Sequence, residues 1–274
     1  MSAILVSGIS KTFRGGAKAL DDVSIAIEPG EMVALIGASG SGKSTLIRHI
    51  SGLLRADSGK TGGQVSVQGR TIQKGGRLGK DLALSRTEIG VVFQQFNLVP
   101  RLSVLVNVLV GLLGRIPKLR ATLGIFTSDE KKRAMQALHR VGIARTARQR
   151  ATTLSGGQQQ RAAIARSLVQ GAKVLLADEP IASLDPASAK RVMGILSTVN
   201  RQDGITVLVS LHQVEYARRY CPRTIAMRDG RVVFDGPSRD LTTEFLREIY
   251  GAASEELVLP DADDFEPAPR LVAG

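Results

Sequence analysis

Apolar residues along this chain fall into runs of different period, and the period predicts the element. "MVALI" (Met32–Ile36), "VLLA" (Val174–Ala177) and "TVLVS" (Thr206–Ser210) are unbroken short runs, as expected of strands buried on both faces of a parallel sheet. The first leads into a glycine-rich loop and then "STLIRHISGLL", where Leu46, Ile47, Ile50, Leu53 and Leu54 can share a helical face. Between the second and third lies "DPASAKRVMGILSTVNR", a helix predicted to start at Asp185 or Pro186. Residues 1–30 and about 62–92 alternate over shorter stretches broken by turns such as "EPGE" and "VQGRT", which predicts an antiparallel β layer. Residues 97–165 read mostly as helix, with Ser128 as N-cap of "SDEKKRAMQALHRVGI" and Glu/Lys pairs on its exposed face. The sum is an α/β core with a helical insertion between its phosphate loop and its second main strand.

Composition narrows this picture without overturning it. A chain of 274 residues with 43% hydrophobic content can bury a sizeable core. The longest apolar-rich stretch, "LSVLVNVLVGLLG" (Leu102–Gly114), is too short to span a bilayer and contains Asn107. No basic segment followed by a long apolar run opens the chain, so no signal peptide is expected and a soluble chain is. Aromatics are only 4% with no Trp, which argues against a stacking platform for single-stranded nucleic acid. The one cysteine, Cys221, cannot form an internal disulfide, has no thiol or base beside it, and reads as an unreactive thiol. The net charge of +12 is uneven, because residues 251–274 hold six acids against Arg270. That segment, with Pro260, Pro267 and Pro269, reads as an acidic flexible tail. The body it leaves is strongly basic and would attract polyanions, whether nucleotide, nucleic acid or anionic lipid.

Three stretches carry candidate chemistry. "GASGSGKS" comprises Gly37, Ala38, Ser39, Gly40, Ser41, Gly42, Lys43 and Ser44, followed by Thr45; it matches the phosphate loop G-x-x-x-x-G-K-[ST]. Its glycines let backbone N–H groups converge on phosphate oxygens at a helix N-terminus. Lys43 would meet the β- and γ-phosphates, and the Ser44 hydroxyl would hold Mg2+. "VLLADEP" ends a buried strand in Asp178 and Glu179. Alone, that pair is more often a capping or turn feature. Beside a phosphate loop, Asp178 becomes a Mg2+ contact through water and Glu179 a group to polarise attacking water. His212 follows the third buried run, where open α/β sheets place ligand contacts. His49 and His139 lie on predicted helices without metal-ligand spacing and read as structural. A second glycine pair, in "LSGGQQQR" (Leu154–Arg161), has no lysine to meet a phosphate.

Taken in order and spacing, "GASGSGKS", Gln94, "LSGGQ", "LLADEP", "SLD" and His212 resemble the ATP-binding cassette (ABC) ATPases over about residues 1–240. The resemblance implies a P-loop cassette with a parallel-sheet core, an antiparallel β subdomain and an inserted helical subdomain at about 97–165, all within a domain of residues 1–250. It implies that Phe13 stacks on adenine, a place where Tyr is commoner. Gln94 in "VVFQQFNL" would contact Mg2+ and water and link the site to a membrane partner. Asp185 would contact the other half of a dimer, and His212 the γ-phosphate. Two cassettes would pack head to tail, so that Ser155, Gly156, Gly157 and Gln158 of one close over ATP on the phosphate loop of the other. A serine hydroxyl, glycine N–H groups and a helix N-terminus can donate to a γ-phosphate without a lysine.

Finer matches, "FQQFNLVPRLSVLVNVLVG", "IASLDP" and "SLHQV", resemble the ATP-binding subunits of phosphonate importers. That implies an ATPase peripheral to the cytoplasmic face of the membrane, working with permease subunits and, through them, an extracytoplasmic substrate-binding protein. "QQFNLVPRLSVL" would help form the permease groove. Phosphonate, phosphite, hypophosphite and phosphate stay open as cargo, since the cargo does not touch this subunit. The alternative is a soluble ABC ATPase attached to carbon–phosphorus lyase machinery; a nucleic-acid-acting member would need a second cassette, and no repeat is visible.

Overall fold

The computed structural model describes residues 1–58 and 63–250. Strands β1 (Ile4–Thr12) and β2 (Lys18–Ile27) form an antiparallel hairpin. After β3 (Met32–Ile36) and helix α1 (Lys43–Ile50), three short strands add to the far side of β1: β4 (Gln64–Val67), β5 (Arg70–Lys74) and β6 (Arg77–Leu78). The resulting antiparallel sheet has the order β2-β1-β4-β5-β6. This is the β layer expected from alternation, with one correction at its end. After α2 (Leu82–Glu88), β7 (Ile89–Val92) leaves that layer and pairs in parallel with β8 (Val174–Asp178). "IGVV" is a continuous apolar run, and its burial is that of a parallel-sheet strand.

The second sheet has the order β11-β10-β3-β9-β8-β7, parallel except for its last hairpin. Its remaining strands are β9 (Thr206–Ser210), β10 (Arg223–Arg228) and β11 (Arg231–Pro237). The three central strands β3, β8 and β9 are buried at every position. Alternation along them divides two cores. Val33, Leu35, Val174, Leu176 and Leu208 pack toward α1 and the antiparallel sheet. Ala34, Ile36, Leu175, Ala177, Val207 and Val209 pack toward the helices on the other face.

The helical region contains α3 (Val104–Leu109), α4 (Lys118–Leu123), α5 (Ser128–Arg140) and α6 (Gly156–Val169). It therefore continues beyond residue 165, and Ala162, Ala163, Ile164 and Ala165 of α6 are fully buried. The segment 102–114 breaks at α3 and a 3-10 turn. Its Asn107 is buried and fully used: the amide oxygen accepts from Val99 N (2.7 Å), and the amide nitrogen donates to the carbonyls of Val99, Leu102 and Ser103. Among the described residues no helix is long and apolar enough to cross a membrane.

Two local expectations are corrected. Thr127, not Ser128, caps α5: its hydroxyl accepts from Glu130 N (3.2 Å) while the Glu130 carboxylate accepts from Thr127 N (2.7 Å). Thr-x-x-Glu is a capping box, and Ser128 has no such partner three residues on. Helix α1 ends at Ile50 because Gly52 turns left-handed (φ 69°), so Leu53 is 52% exposed rather than on the helical face. The helix α7 (Pro186–Asp203) uses both predicted starters, Asp185 as N-cap and Pro186 at its first position. Helices α8 (Val214–Tyr220) and α9 (Thr243–Tyr250) complete the fold. The expected acidic tail, 251–274, lies outside the described residues.

Candidate functional site

The fold gathers the carboxyl ends of β3, β8 and β9 in register, and each end delivers a polar segment. β3 delivers Gly37, from which the loop turns to α1. Gly37, Gly40 and Gly42 adopt φ of 146°, 81° and 104°. At two of them space also demands glycine: a Cβ on Gly37 would sit 2.2 Å from Met227 O, and one on Gly42 2.4 Å from Ala19 O. Lys43 is 3% exposed. Its Nζ donates to Gly37 O (2.7 Å) and Ala38 O (3.0 Å). Burial holds its pKa below the usual lysine value, opposed by the charges of Glu179 and Asp178.

Ser44 Oγ donates to Asp178 Oδ1 at 2.8 Å, and Ser210 Oγ donates to the same oxygen at 2.9 Å. Ser210 also accepts from Glu179 N (2.8 Å). Glu179 is left-handed (φ 50°), a strained geometry for a non-glycine residue that this bond holds at the strand end. Its Oε1 lies 2.6 Å from His212 Nε2. The hydrogen bond from His212 holds the Glu179 carboxyl below the ordinary glutamate range, against the effect of burial. Residues Ser39 to Thr45 and Glu179 line a cavity of 170 Å³, and a second of 110 Å³ joins Glu179 to Ser210, His212 and Gln213.

Such a cavity suits a polyphosphate. It has a basic side chain, a helix N-terminus, converging glycine amides, and a buried Ser41 hydroxyl without a hydrogen-bond partner. Among the described residues no three His, Cys, Asp or Glu side chains cluster to hold a metal by themselves. Ser44 and Asp178 give two oxygens, the donor set for a Mg2+ that completes its shell with phosphate and water.

The other predicted residues lie apart from this centre. Phe13 is 41% exposed in the β1–β2 hairpin, with Lys11 Nζ 5.8 Å from its ring centroid. Gln94 is exposed in the turn after β7. Ser155 caps α6 in a capping box with Gln158: Ser155 Oγ accepts from Gln158 N (3.3 Å), and Gln158 Oε1 accepts from Ser155 N (2.9 Å). Asp185 Oδ1 accepts from Ser188 N (2.9 Å). Among the described residues no hydrogen bond links Ser155, Gly156, Gly157 or Gln158 to the phosphate loop of the same chain. His49 is buried on α1 with Nδ1 2.7 Å from Thr45 O, and burial lowers its pKa. Burial pushes the Cys221 thiol up to about 12.

Sequence reading missed three residues of this neighbourhood. Ser210 was legible only as the polar end of a buried strand. Tyr250, whose hydroxyl accepts from Gly37 N (3.2 Å), is 213 residues away in sequence. Arg166 donates from α6 to Asn97 O (2.6 Å) and Phe96 O (3.5 Å), in the loop that carries Gln94.

Comparison with known proteins sets this geometry among relatives. The family model "ABC transporter" matches residues 20–182. A protein of Cupriavidus necator named "Phosphonates import ATP-binding protein PhnC 2" is 57% identical over 276 residues, covering 98% of this chain and 96% of the relative. A protein of the same name from Pseudomonas syringae pv. syringae is 60% identical over 253 residues, covering 92% and 91%. Among solved structures, a dimeric bacterial ABC transporter cassette aligns with TM-score 0.74 and 36% identity over 87% of this chain and all of the other (100%). A dimeric cassette in a post-hydrolysis state bound to ADP and Pi aligns with TM-score 0.72, also at 36% identity and over 87% and 100%.

Proposed function

Because this chain belongs to the ABC transporter family, as an ATP-binding cassette subunit, we propose that it is the ATPase that powers import of phosphonate through a membrane permease. The cargo class follows the names of relatives at 57–60% identity across nearly their whole length. The chemistry rests on one observation above the others: a carboxylate 2.6 Å from an imidazole, at the edge of a phosphate-shaped cavity that holds a lysine.

ATP enters with its phosphates over the loop Gly37–Ser44. The loop amides, Ser41 and the N-terminus of α1 bind phosphate oxygens, and Lys43 exchanges its two loop carbonyls for the β- and γ-phosphates. Ser44 and Asp178, joined by Gln94 from the loop after β7, would hold Mg2+, which would neutralise phosphate charge. Glu179 accepts a proton from water as the water oxygen bonds to the γ-phosphorus. The bond to the β–γ bridging oxygen breaks, giving ADP and phosphate. A glutamate carboxyl is ionised at neutral pH, as a base must be, and the hydrogen bond from His212 lowers its pKa further before ATP binds. His212 fixes the carboxylate and turns toward the γ-phosphate when ATP is present. Phe13 covers the adenine ring.

The chain works as a head-to-tail pair. Ser155, Gly156, Gly157 and Gln158 of one copy close over ATP on the other, with Asp185 at the same seam. This reading is supported by the dimeric cassettes it resembles. Residues 94–105 face the permease, and the chain sits on the cytoplasmic side of the membrane. An extracytoplasmic binding protein delivers the cargo.

Affinity purification from detergent-solubilised membranes tests the assembly. A multi-span permease should co-purify, and the reconstituted complex should take up an alkylphosphonate with ATP. Recovery with a soluble lyase core, or uptake of phosphate or phosphite in preference to phosphonate, would overturn the respective part of the proposal.

A further inference from the structure

The last described helix, α9, reaches the nucleotide site through a phenol. In α9, Leu246 and Ile249 are buried, and Arg228 Nη1 donates to Glu248 O (3.1 Å), which pins the helix to β10. The last residue of α9, Tyr250, is 7% exposed, and its oxygen sits between two loops of the site. Gly37 N donates to it at 3.2 Å, and it donates to His212 O at 3.5 Å. A hydroxyl has one proton and two lone pairs, so both bonds can be made at once. Gly37 is buried, and a Cβ there would stand 2.2 Å from Met227 O, so no other residue fits at this end of the bridge. The other end of the bridge is the backbone of the residue whose ring holds Glu179.

We propose that Tyr250 is a positioning residue of the ATPase site. It fixes the first peptide of the phosphate loop against the backbone of His212, and so sets the spacing between the bound phosphates and the Glu179–His212 pair. It touches no reacting atom. The inference rests on the ATPase reading of the site, but its geometric half can be tested without turnover.

Tyr250→Phe keeps the ring and removes the bridge, leaving the Gly37 N–H buried without an acceptor. The kcat/KM for ATP should fall about tenfold, the equivalent of one buried donor left unpaired. KM should rise, from the displaced loop, and kcat should fall, from the displaced His212. A purely structural role would lower thermal stability and leave kcat/KM of the folded protein within about twofold of wild type; that result overturns the proposal. Amide hydrogen exchange in the nucleotide-free wild-type chain is the second measurement, and it does not depend on the variant folding. Gly37 should exchange slowly, and exchange at the rate of an open loop overturns the bridge. A wild-type chain without ATPase activity would instead count against the site reading, with the exchange result still bearing on Tyr250.

Discussion

Gly157 stands in the first turn of α6, where helix propensity favours almost any other residue. Space explains the glycine. A Cβ there would lie 2.8 Å from both Cβ and Oγ of Ser188, in the first turn of α7. Carbon atoms at rest stand about 3.5–4.0 Å apart, so Gly157→Ala must push the two helix starts apart. Rotating Ser188 relieves the clash with Oγ but not with Cβ. Overpacking of this kind costs about 1–3 kcal/mol, while alanine regains up to about 1 kcal/mol of helix propensity. The single variant therefore loses only about 0–2 kcal/mol by these terms, too little to identify the cause. A double-mutant cycle with Ser188→Gly isolates the clash. The backbone N–H that donates to Asp185 survives in that variant, so the α7 cap is kept. We expect a coupling of about 1–3 kcal/mol, read from urea midpoints of the four proteins. Additivity within about 0.5 kcal/mol would refute the packing argument. ATPase activity of the double variant then separates two roles: recovery assigns Gly157 to helix packing, and continued loss assigns it to close approach of a phosphate.

Glu179→Gln should lower kcat by about 10²–10⁴-fold, the usual contribution of a general base, and let ATP-bound dimers accumulate on size exclusion; steady turnover at the wild-type rate would exclude Glu179 as the base. A mixed dimer of Ser155→Arg and Lys43→Ala subunits should keep one intact composite site, measured by phosphate release from tagged heterodimers, and loss of both sites would exclude the head-to-tail arrangement. The Glu130 carboxyl is held at about 2, from an ordinary 4.5, by the Arg120 guanidinium and the Thr127 N–H. Because its folded pKa is depressed, its contribution is fully present above the ordinary value and is lost as pH falls toward about 2. Wild type and Glu130→Gln should thus differ in unfolding midpoint at neutral pH and converge in strong acid; a difference that persists there would refute the linkage.

The parts of this molecule legible in the sequence are those whose cause is local. β3, β8 and β9 are readable because burial on both faces forces unbroken apolar runs, and the observed spans differ from the expected ones by a single residue at Asp178. The phosphate loop is readable because its backbone needs glycine at set intervals. The same locality explains the errors. Ile89–Val92 directly follows an alternating region, which draws it into the antiparallel layer on sequence, though its own unbroken apolar run is that of a parallel strand. Ser128 and Thr127 are both N-cap residue types, and only Thr127 has a Glu three residues on to close a capping box. The bonds of Ser210, Arg166 and Tyr250 depend on strand order and helix docking, so no local pattern announces them. "LSGGQ" is the limiting case. Within one chain Ser155 and Gln158 make an ordinary capping box, and only resemblance to known cassettes points across an interface.

That capping box is nevertheless tied to the loop carrying Gln94, and the tie has a mechanical consequence. A Cβ on Gly156 would meet Leu184 Cδ2 at 3.2 Å and Phe96 Cζ at 3.6 Å, so side chains from the loops of Asp185 and Gln94 both rest on the start of α6. Further along the helix, Arg166 donates to the carbonyls of Asn97 and Phe96. Both contacts fall on Phe96 and Asn97, so α6 holds one short stretch of that loop, from its first turn and from Arg166. Phe96 and Asn97 are successive left-handed residues (φ 57° and 48°), a conformation that costs about 1–3 kcal/mol each and needs such bracing to persist. These contacts couple Phe96 and Asn97 to the helix whose N-cap is Ser155. Under the proposed head-to-tail pairing, displacing that loop would carry the capped start of α6 with it.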